Sequence, residues 1–563
     1  MKRIVFSAII VAALAGCATQ DQSPTFVAKA SRQAGVATAP EAFPARLGSN
    51  HFPITTKSPE AQRAFDRGLT WAYSFGHYAA EQEFKRAAAF DPGCAMAHWG
   101  IALVNGPHIN FPMVPPDKVR KAWDALAKAQ SLATGLTHIE HALIDALARR
   151  YADPQPEDRS ALDQAYADAM RQVWKRFPEN PDVGALCAEA LMDLHPWDLW
   201  TDAGAQPWTG EIVGTLERVM EMNPRHPGAN HYYIHAIEAS SQPDRALVAA
   251  DRLGKLVPDS SHMVHMPSHI YARVGQWEKA AESNKQAMKA DRLYRTAYPR
   301  PGFYGLYMAH NSHFLAFTAM MRGRSEEALR IARQMVSEIP PDFIEEYAPV
   351  VDGFTVFVPE VLMRFGRWED ILAEPAPRDG MPLAKALWHF TRTTAYTALG
   401  RMDEARKERA AFSQASEVVP EDATFGNNKS RDLLEIATLV IDGEMKAKEG
   451  DFEAATTPLE KAVELEDKLR YDEPPDWIQP VRHTLGAVLL RKGDAEAAEK
   501  VYLADLEKFP GNGWSLMGLR DALKRQGKDQ EAIVADAKFR KAWANADVQP
   551  SATCYCQEEF ATR

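Results

Sequence analysis

From Pro59 onward, apolar residues recur at spacings of three and four along most of the chain. Almost nothing alternates with period two. That pattern predicts helices and argues against strands. It places a first pair over 60–74 and 78–90, closed by Asp91-Pro92, and a third helix over 94–103. Further on, a repeated punctuation appears: Gly275-Gln-Trp, Gly323-Arg-Ser, Gly366-Arg-Trp, Gly400-Arg-Met, Gly450-Asp-Phe, Gly493-Asp-Ala and Gly527-Lys-Asp. Each glycine suits a left-handed helix cap. The acidic residues that follow several of them favour the next helix N-terminus. The expectation is an all-α chain, built over 58–545 as an α-solenoid of antiparallel helix pairs. A single pair cannot bury its apolar face, so neighbouring pairs must stack.

The glycines step by 48, 43, 34, 50, 43 and 34 residues. Ala64, Gly68, Ala87 and Pro92 occupy small and helix-breaking positions of the first pair. This rhythm resembles the tetratricopeptide repeat, whose period is 34 residues. Longer phrases also match. FDRGLTWAYSFGHYAAEQEF, CAMAHWGIALVNGPHINFP, PWDLW, NHYYIHAIEASSQPDRAL and HMVHMPSHIYARVGQW resemble a largely uncharacterised group of exported bacterial tetratricopeptide-like proteins. The resemblance covers about residues 60 to 330 and implies a scaffold, not a chemistry. The repeats divide into an N-terminal solenoid over 58–340 and C-terminal repeats over 341–545, with breaks around 340–358 and 374–382. A tail follows over 546–563.

The first seventeen residues read as a targeting segment. Lys2 and Arg3 precede the short apolar run 4–13, which ends in Leu14-Ala15-Gly16-Cys17. This ending resembles a bacterial lipobox. The resemblance implies cleavage before Cys17, lipidation of its thiol and, with Ala18 next, delivery to the outer membrane facing the periplasm. Residues 18–57 are rich in Ala, Pro, Ser and Thr and read as a tether. A membrane would then be met through the lipid alone. The formal charge of −11 argues against a nucleic-acid partner. Cys94, Cys187, Cys554 and Cys556 remain. Their pairing cannot be read from spacing. Cys554 and Cys556 look too close for an easy mutual disulfide, leaving a tail that is loose or paired elsewhere, or a soft-metal site.

Eight of the seventeen histidines fall between Arg225 and Phe314. His226 stands upstream of three clusters: His231, His235 and Glu238; His262, His265 and His269; His310 and His313. Within each cluster the spacing places side chains on one helix face. The helical rhythm puts all three clusters on first helices of successive pairs: 228–239, 262–274 and 303–322. In tetratricopeptide-like repeats, which the chain resembles, first helices line a concave surface. The resemblance thus implies that His231, His235, His262, His265, His269, His310 and His313 share one groove. Pro267 predicts a helix start within the second cluster, with His262 and His265 in the incoming turn. Imidazole is the commonest protein ligand for transition metals. Seven imidazoles and the Glu238 carboxylate exceed one tetrahedral shell, which allows one or two ions per chain.

Met263, Met266 and Met308 interleave with the histidines and bring copper forward beside zinc and iron. His231-Tyr-Tyr-Ile-His235 lacks the glutamate of a zincin motif, so peptidase chemistry does not carry over. Glu238 is the candidate general base, and alternatively a ligand or an orienting partner. Asp291, Tyr232 and Tyr271 are outer candidates, as are Glu189 and Asp193 on an upstream helix. Aromatic loops around Trp197, Trp200 and Trp208 and around Tyr298–Tyr304 could roof a pocket. Three functions fit: a metal-dependent enzyme, hydrolase or oxidoreductase; a metal-binding or delivery protein; and an adaptor whose concave groove takes a peptide, a protein or a small molecule.

Overall fold

A computed structural model describes residues 43–340, 344 and 351–557. Cys17, the leader and most of the tether lie outside these residues. The described chain is all-α: antiparallel helix pairs with two short two-stranded ribbons, Trp200–Thr201 with Gly204–Ala205 and Thr424–Phe425 with Asn428–Lys429. No described helix is long and apolar enough to cross a membrane. The chain separates into two compact units. One comprises Phe43, His51–Ala72 and His77–Pro196; the other comprises Pro44–Asn50, Tyr73–Gly76 and Trp197 onward. The boundary expected at 340–341 lies inside the second unit. There the Asp352 carboxylate accepts hydrogen bonds from the N–H groups of Leu383 and Ala384, both at 2.9 Å. It thereby caps the Pro382–Ala398 helix across the expected break.

The expected first pair forms as Pro59–Tyr73, all but its last residue in the first unit, and His77–Phe90, followed by Ala95–Val104. Small residues matter here because Phe84 is seated against them. A Cβ on Gly68 or Gly100 would lie 2.7 or 2.5 Å from its ring. Glu189 and Asp193 belong to this unit's interior. Asp193 pairs with the buried Arg150 guanidinium. That guanidinium also donates to Pro107 O at 3.0 Å and stacks on Tyr166.

In the second unit, the histidine-bearing helices are Pro227–Ile237, Ser261–His265, Pro267–Arg273 and Tyr304–Met321. Each packs on a partner next in sequence: Leu247–Leu256, Trp277–Ala297 or Ser325–Glu338. Pro267 starts the Pro267–Arg273 helix, as expected, but the incoming turn is itself helical. Met266 is helical and its N–H reaches His262 O at 3.0 Å, so His262 and His265 already sit on helical turns. Proline has no N–H to donate, and the run is divided there into two short helices.

All seven punctuating glycines have positive φ. Two of them do more than end a helix. A Cβ on Gly275 would lie 2.5 Å from Pro510 O, and one on Gly323 would lie 2.3 Å from the Trp543 ring. The C-terminal repeats therefore press directly on the turns of the histidine-bearing pairs. Trp277 Nε1 donates to Pro510 O at 2.9 Å, and Trp514 Nε1 donates to Met320 O at 2.8 Å. The Arg364 guanidinium lies 3.5 Å above the Trp514 ring. Beneath this seam, the buried Asp505 carboxylate accepts from His483 Nε2, Asn512 Nδ2 and Ser515 Oγ. The cysteine expectation is corrected here. Cys554 and Cys556 form a disulfide with each other, and Cys94 and Cys187 are buried free thiols.

Two predictions follow from the seam. Trp514→Ala should destabilise the second unit by about 3–5 kcal/mol, as expected for a buried indole. An unchanged urea midpoint would show that the seam is not stabilising. The second concerns acid. Burial alone would raise the Asp505 carboxyl, but His483 and its hydrogen-bond donors outweigh burial and hold it below its ordinary value. Its stabilisation is therefore present above an unfolded pKa of about 4 and is lost as pH falls through the lower folded value. Burial holds His483 below its ordinary value too, which adds a loss of the same sign on acidification. Asp505→Asn should flatten the acid limb of a stability-versus-pH curve.

Candidate metal centre

The site lies wholly within the second unit. His231 and His235 are one turn apart on Pro227–Ile237. His262, His265 and His269 follow one another along Ser261–Arg273, and His310 comes from Tyr304–Met321. The structure sorts their nitrogens into two sets of three, His231/His235/His262 and His265/His269/His310. In each set the ligand atoms lie within 4.8 Å of one another. His310 is half-buried and the other five are buried. The expected groove is thus largely a buried interior. His313 is not part of it, for its ring packs edge-on against Phe354 and Phe357. His226 is an N-cap whose Nδ1 accepts from the Ala229 N–H.

What orients the rings is the outer hydrogen bond of each. His231 Nδ1–H donates to Tyr73 O at 2.6 Å. His235 Nδ1–H donates to Glu238 Oε1 at 2.7 Å. His269 Nδ1–H donates to Glu238 Oε2. His265 Nδ1–H donates to Asn284 Oδ1 at 2.6 Å, and Asn284 Nδ2 is fixed by Ala280 O. A neutral imidazole has one N–H. Spending it on the outer partner turns the Nε2 lone pair inward. Four rings are set this way.

The consequence is a shortage of protons inside the cluster. His265 Nε2 and His269 Nε2 face each other at 2.7 Å, and His231 Nε2 faces His262 Nε2 at 3.1 Å. His235 Nε2 and His262 Nδ1 are buried with no partner. His262, whose Nδ1 has no partner, can donate Nε2–H to His231, but the opposed Nε2 atoms of His265 and His269 need a cation between or beside them: a proton or a metal ion. Burial, with the neighbouring imidazoles, holds His231, His262, His265 and His310 well below the usual histidine range, so extra protons are disfavoured there. Burial also opposes the charged form of His269, but Glu238 outweighs it and raises that ring. Outer acceptors that orient imidazoles inward are the ordinary second layer of a metal site. The residues therefore fit a transition-metal ion.

Glu238 is fully buried, with both oxygens committed to imidazole N–H groups. Burial would raise its carboxyl, but His269 and His235 overcome this and bring it to about 2. A carboxylate so weakly basic and so fully engaged positions rings. Of the roles expected for it, base, ligand or orienting partner, its two hydrogen bonds correspond to the last.

Further residues complete the walls. Phe75 packs against His231, His235 and His262, and Trp197 stands edge-on to His235. Among the described residues, Phe75 and Trp197 are the non-glycine positions with positive φ, at 54° and 58°. Left-handed backbone costs such residues about 1–2 kcal/mol each. Tyr307 lies over His262, and Phe314 packs on His265 and His269. From the C-terminal repeats, Glu473 Oε2 approaches His269 Nδ1 at 3.7 Å and accepts from Tyr471 OH. Burial pushes Glu473 up to about 8.

The wider set of expected partners divides. Tyr232 stacks on Phe75, whereas Tyr271 OH donates to Asp251 and Asp291 accepts from Asn311. Sequence reasoning missed Asn284, Tyr307, Glu473 and Tyr471. For Glu473 the one signal was an acidic, proline-containing loop in an otherwise regular stretch.

No family model matches the chain, and no curated protein matches it in sequence. Solved structures with related helical arrangement include a human IFIT1 dimer with m7Gppp-AAAA, 13% identical, with a TM-score of 0.31 over 84% of this chain and 95% of that one. Another is the APC/C hetero-tetramer Cut9-Hcn1, 12% identical, with a TM-score of 0.29 over 88% of this chain and 76% of that one.

The outer hydrogen bonds give a direct test. Glu238→Gln should cost about 1–3 kcal/mol in the metal-free protein, because an amide NH2 then faces one imidazole N–H. A thermal melt unchanged by the substitution would remove the carboxylate from its orienting role.

Proposed function

We propose that this is a transition-metal protein whose ion is held by inward-facing imidazole nitrogens on successive helix pairs. One observation carries the reading. His231, His235, His265 and His269 each spend their Nδ1–H on a fixed outer acceptor, which aims four Nε2 lone pairs into one buried space. An imidazole cluster suits copper, zinc, iron or nickel, and copper stands highest in the general affinity order. Three protein ligands per ion leave a coordination position open, as in catalytic rather than structural sites. The proposal is therefore a metalloenzyme, with Glu238 and Asn284 positioning ligands. The lipobox-like Leu14–Cys17 ending supports tethering at the cell envelope, facing the periplasm.

Metal content is the test. Protein exported to the periplasm and purified without chelator or histidine tag should carry one or two equivalents of a single transition metal by mass spectrometry. His235→Ala with His269→Ala should abolish it and leave the helical circular-dichroism signal nearly intact. Glu238→Gln should weaken metal affinity about 10–100-fold. Protein that stays metal-free after reconstitution would sink the proposal. A helical-repeat adaptor for a peptide or protein would then be the better account.

A further inference from the structure

We propose that the six imidazoles hold two copper ions side by side, and that dioxygen is the ligand bound between them. This rests on the reading that the cluster holds metal, and adds the number of ions, their identity and the substrate.

The number follows from how the donors divide. They form two sets of three, not one set of six. Tetrahedral ligation at about 2.05 Å sets donors about 3.3 Å apart, so small ring movements close either set around one ion. The sets are also locked together. His262 serves the first and His265 the second, one turn apart on the same run. Their ring centroids are 6.0 Å apart, which places the two sets side by side, close enough for a small molecule to bridge. Glu238 fastens the sets a second time, with one oxygen on His235 and the other on His269.

The identity follows from charge. Neither three-imidazole set contains a carboxylate or a thiolate. Two divalent ions would bring four positive charges into a buried space bordered by two carboxylates, Glu238 and Glu473. Uncompensated buried charge is costly. Two copper(I) ions halve that charge, and three imidazoles suit copper.

The substrate follows from the walls. Phe75, Trp197, Tyr307 and Phe314 line the two sets with aromatic rings. Such walls favour a small neutral molecule over a charged or bulky one. Dioxygen also matches the electron count. Each copper(I) gives one electron and becomes copper(II). Dioxygen accepts both electrons and remains bridging, with no proton consumed.

The experiment loads metal-free protein anaerobically with copper(I) against a chromophoric chelator, then admits oxygen. Two copper ions per chain should bind. One dioxygen should be taken up per two copper ions, an intense near-ultraviolet band should appear, and no copper(II) electron paramagnetic resonance signal should be seen because the two spins are coupled. His310→Ala should reduce loading to one ion and abolish oxygen uptake. His313→Ala should preserve both, because its ring packs on Phe354 and Phe357. One ion per chain, a preference for zinc over copper, or a full-intensity signal from two independent copper(II) ions would overturn this proposal and leave the metal reading standing. Failure to bind any metal would overturn both.

Discussion

A single carboxylate holds the site together. Glu238 is buried and accepts hydrogen bonds from His235 on its own helix end and from His269 on the next helical run. An unpaired carboxylate there would be strongly disfavoured. The two imidazole N–H groups satisfy it, and in doing so lose the freedom to turn. Their other nitrogens must then point inward. One acidic residue thus converts histidines that could have been separate polar core groups into an arranged set. Asn284 and the Tyr73 carbonyl repeat the device with neutral acceptors.

The helical-repeat architecture makes this arrangement possible without any loop carrying a ligand. His231, His235, His262, His265, His269 and His310 all project from helices that pack on their neighbours in sequence. Loops supply the walls instead. Phe75 and Trp197 reach His235 from opposite ends of the sequence that precedes it, each through a left-handed residue. Strained backbone persists where surrounding packing over-determines it, and here both instances aim a ring at the same imidazole.

Much of the fold was legible because its signals are local. Helix periodicity and seven cap glycines set the repeat boundaries, and all seven adopt the expected backbone hand. The histidine clusters were legible because spacing by three and four is itself a geometric statement. His313 shows where that logic stops. It shares a helix with His310, yet a ring pair from 354–357 claims it. The division of the chain near residue 197 was hidden too, since a helical-repeat pattern looks alike on both sides of a domain boundary. So was the packing of Gly275 on Pro510 and Gly323 on Trp543, which depends on contacts more than two hundred residues apart. Cys554 and Cys556 misled in the other direction: their short spacing argued against a bond that the local turn allows.

The seam between the early glycine turns and the last repeats has a consequence for how the protein comes into being. The stretch that brings Tyr471 and Glu473 to His269 lies two hundred residues beyond that histidine, and the repeats that press on Gly275 and Gly323 lie further still. A chain emerging from its N-terminus carries all six imidazoles and most of their aromatic walls before it carries Tyr471 and Glu473. The surroundings of His269 are therefore complete only once the chain beyond Glu473 has folded back onto the earlier helix pairs.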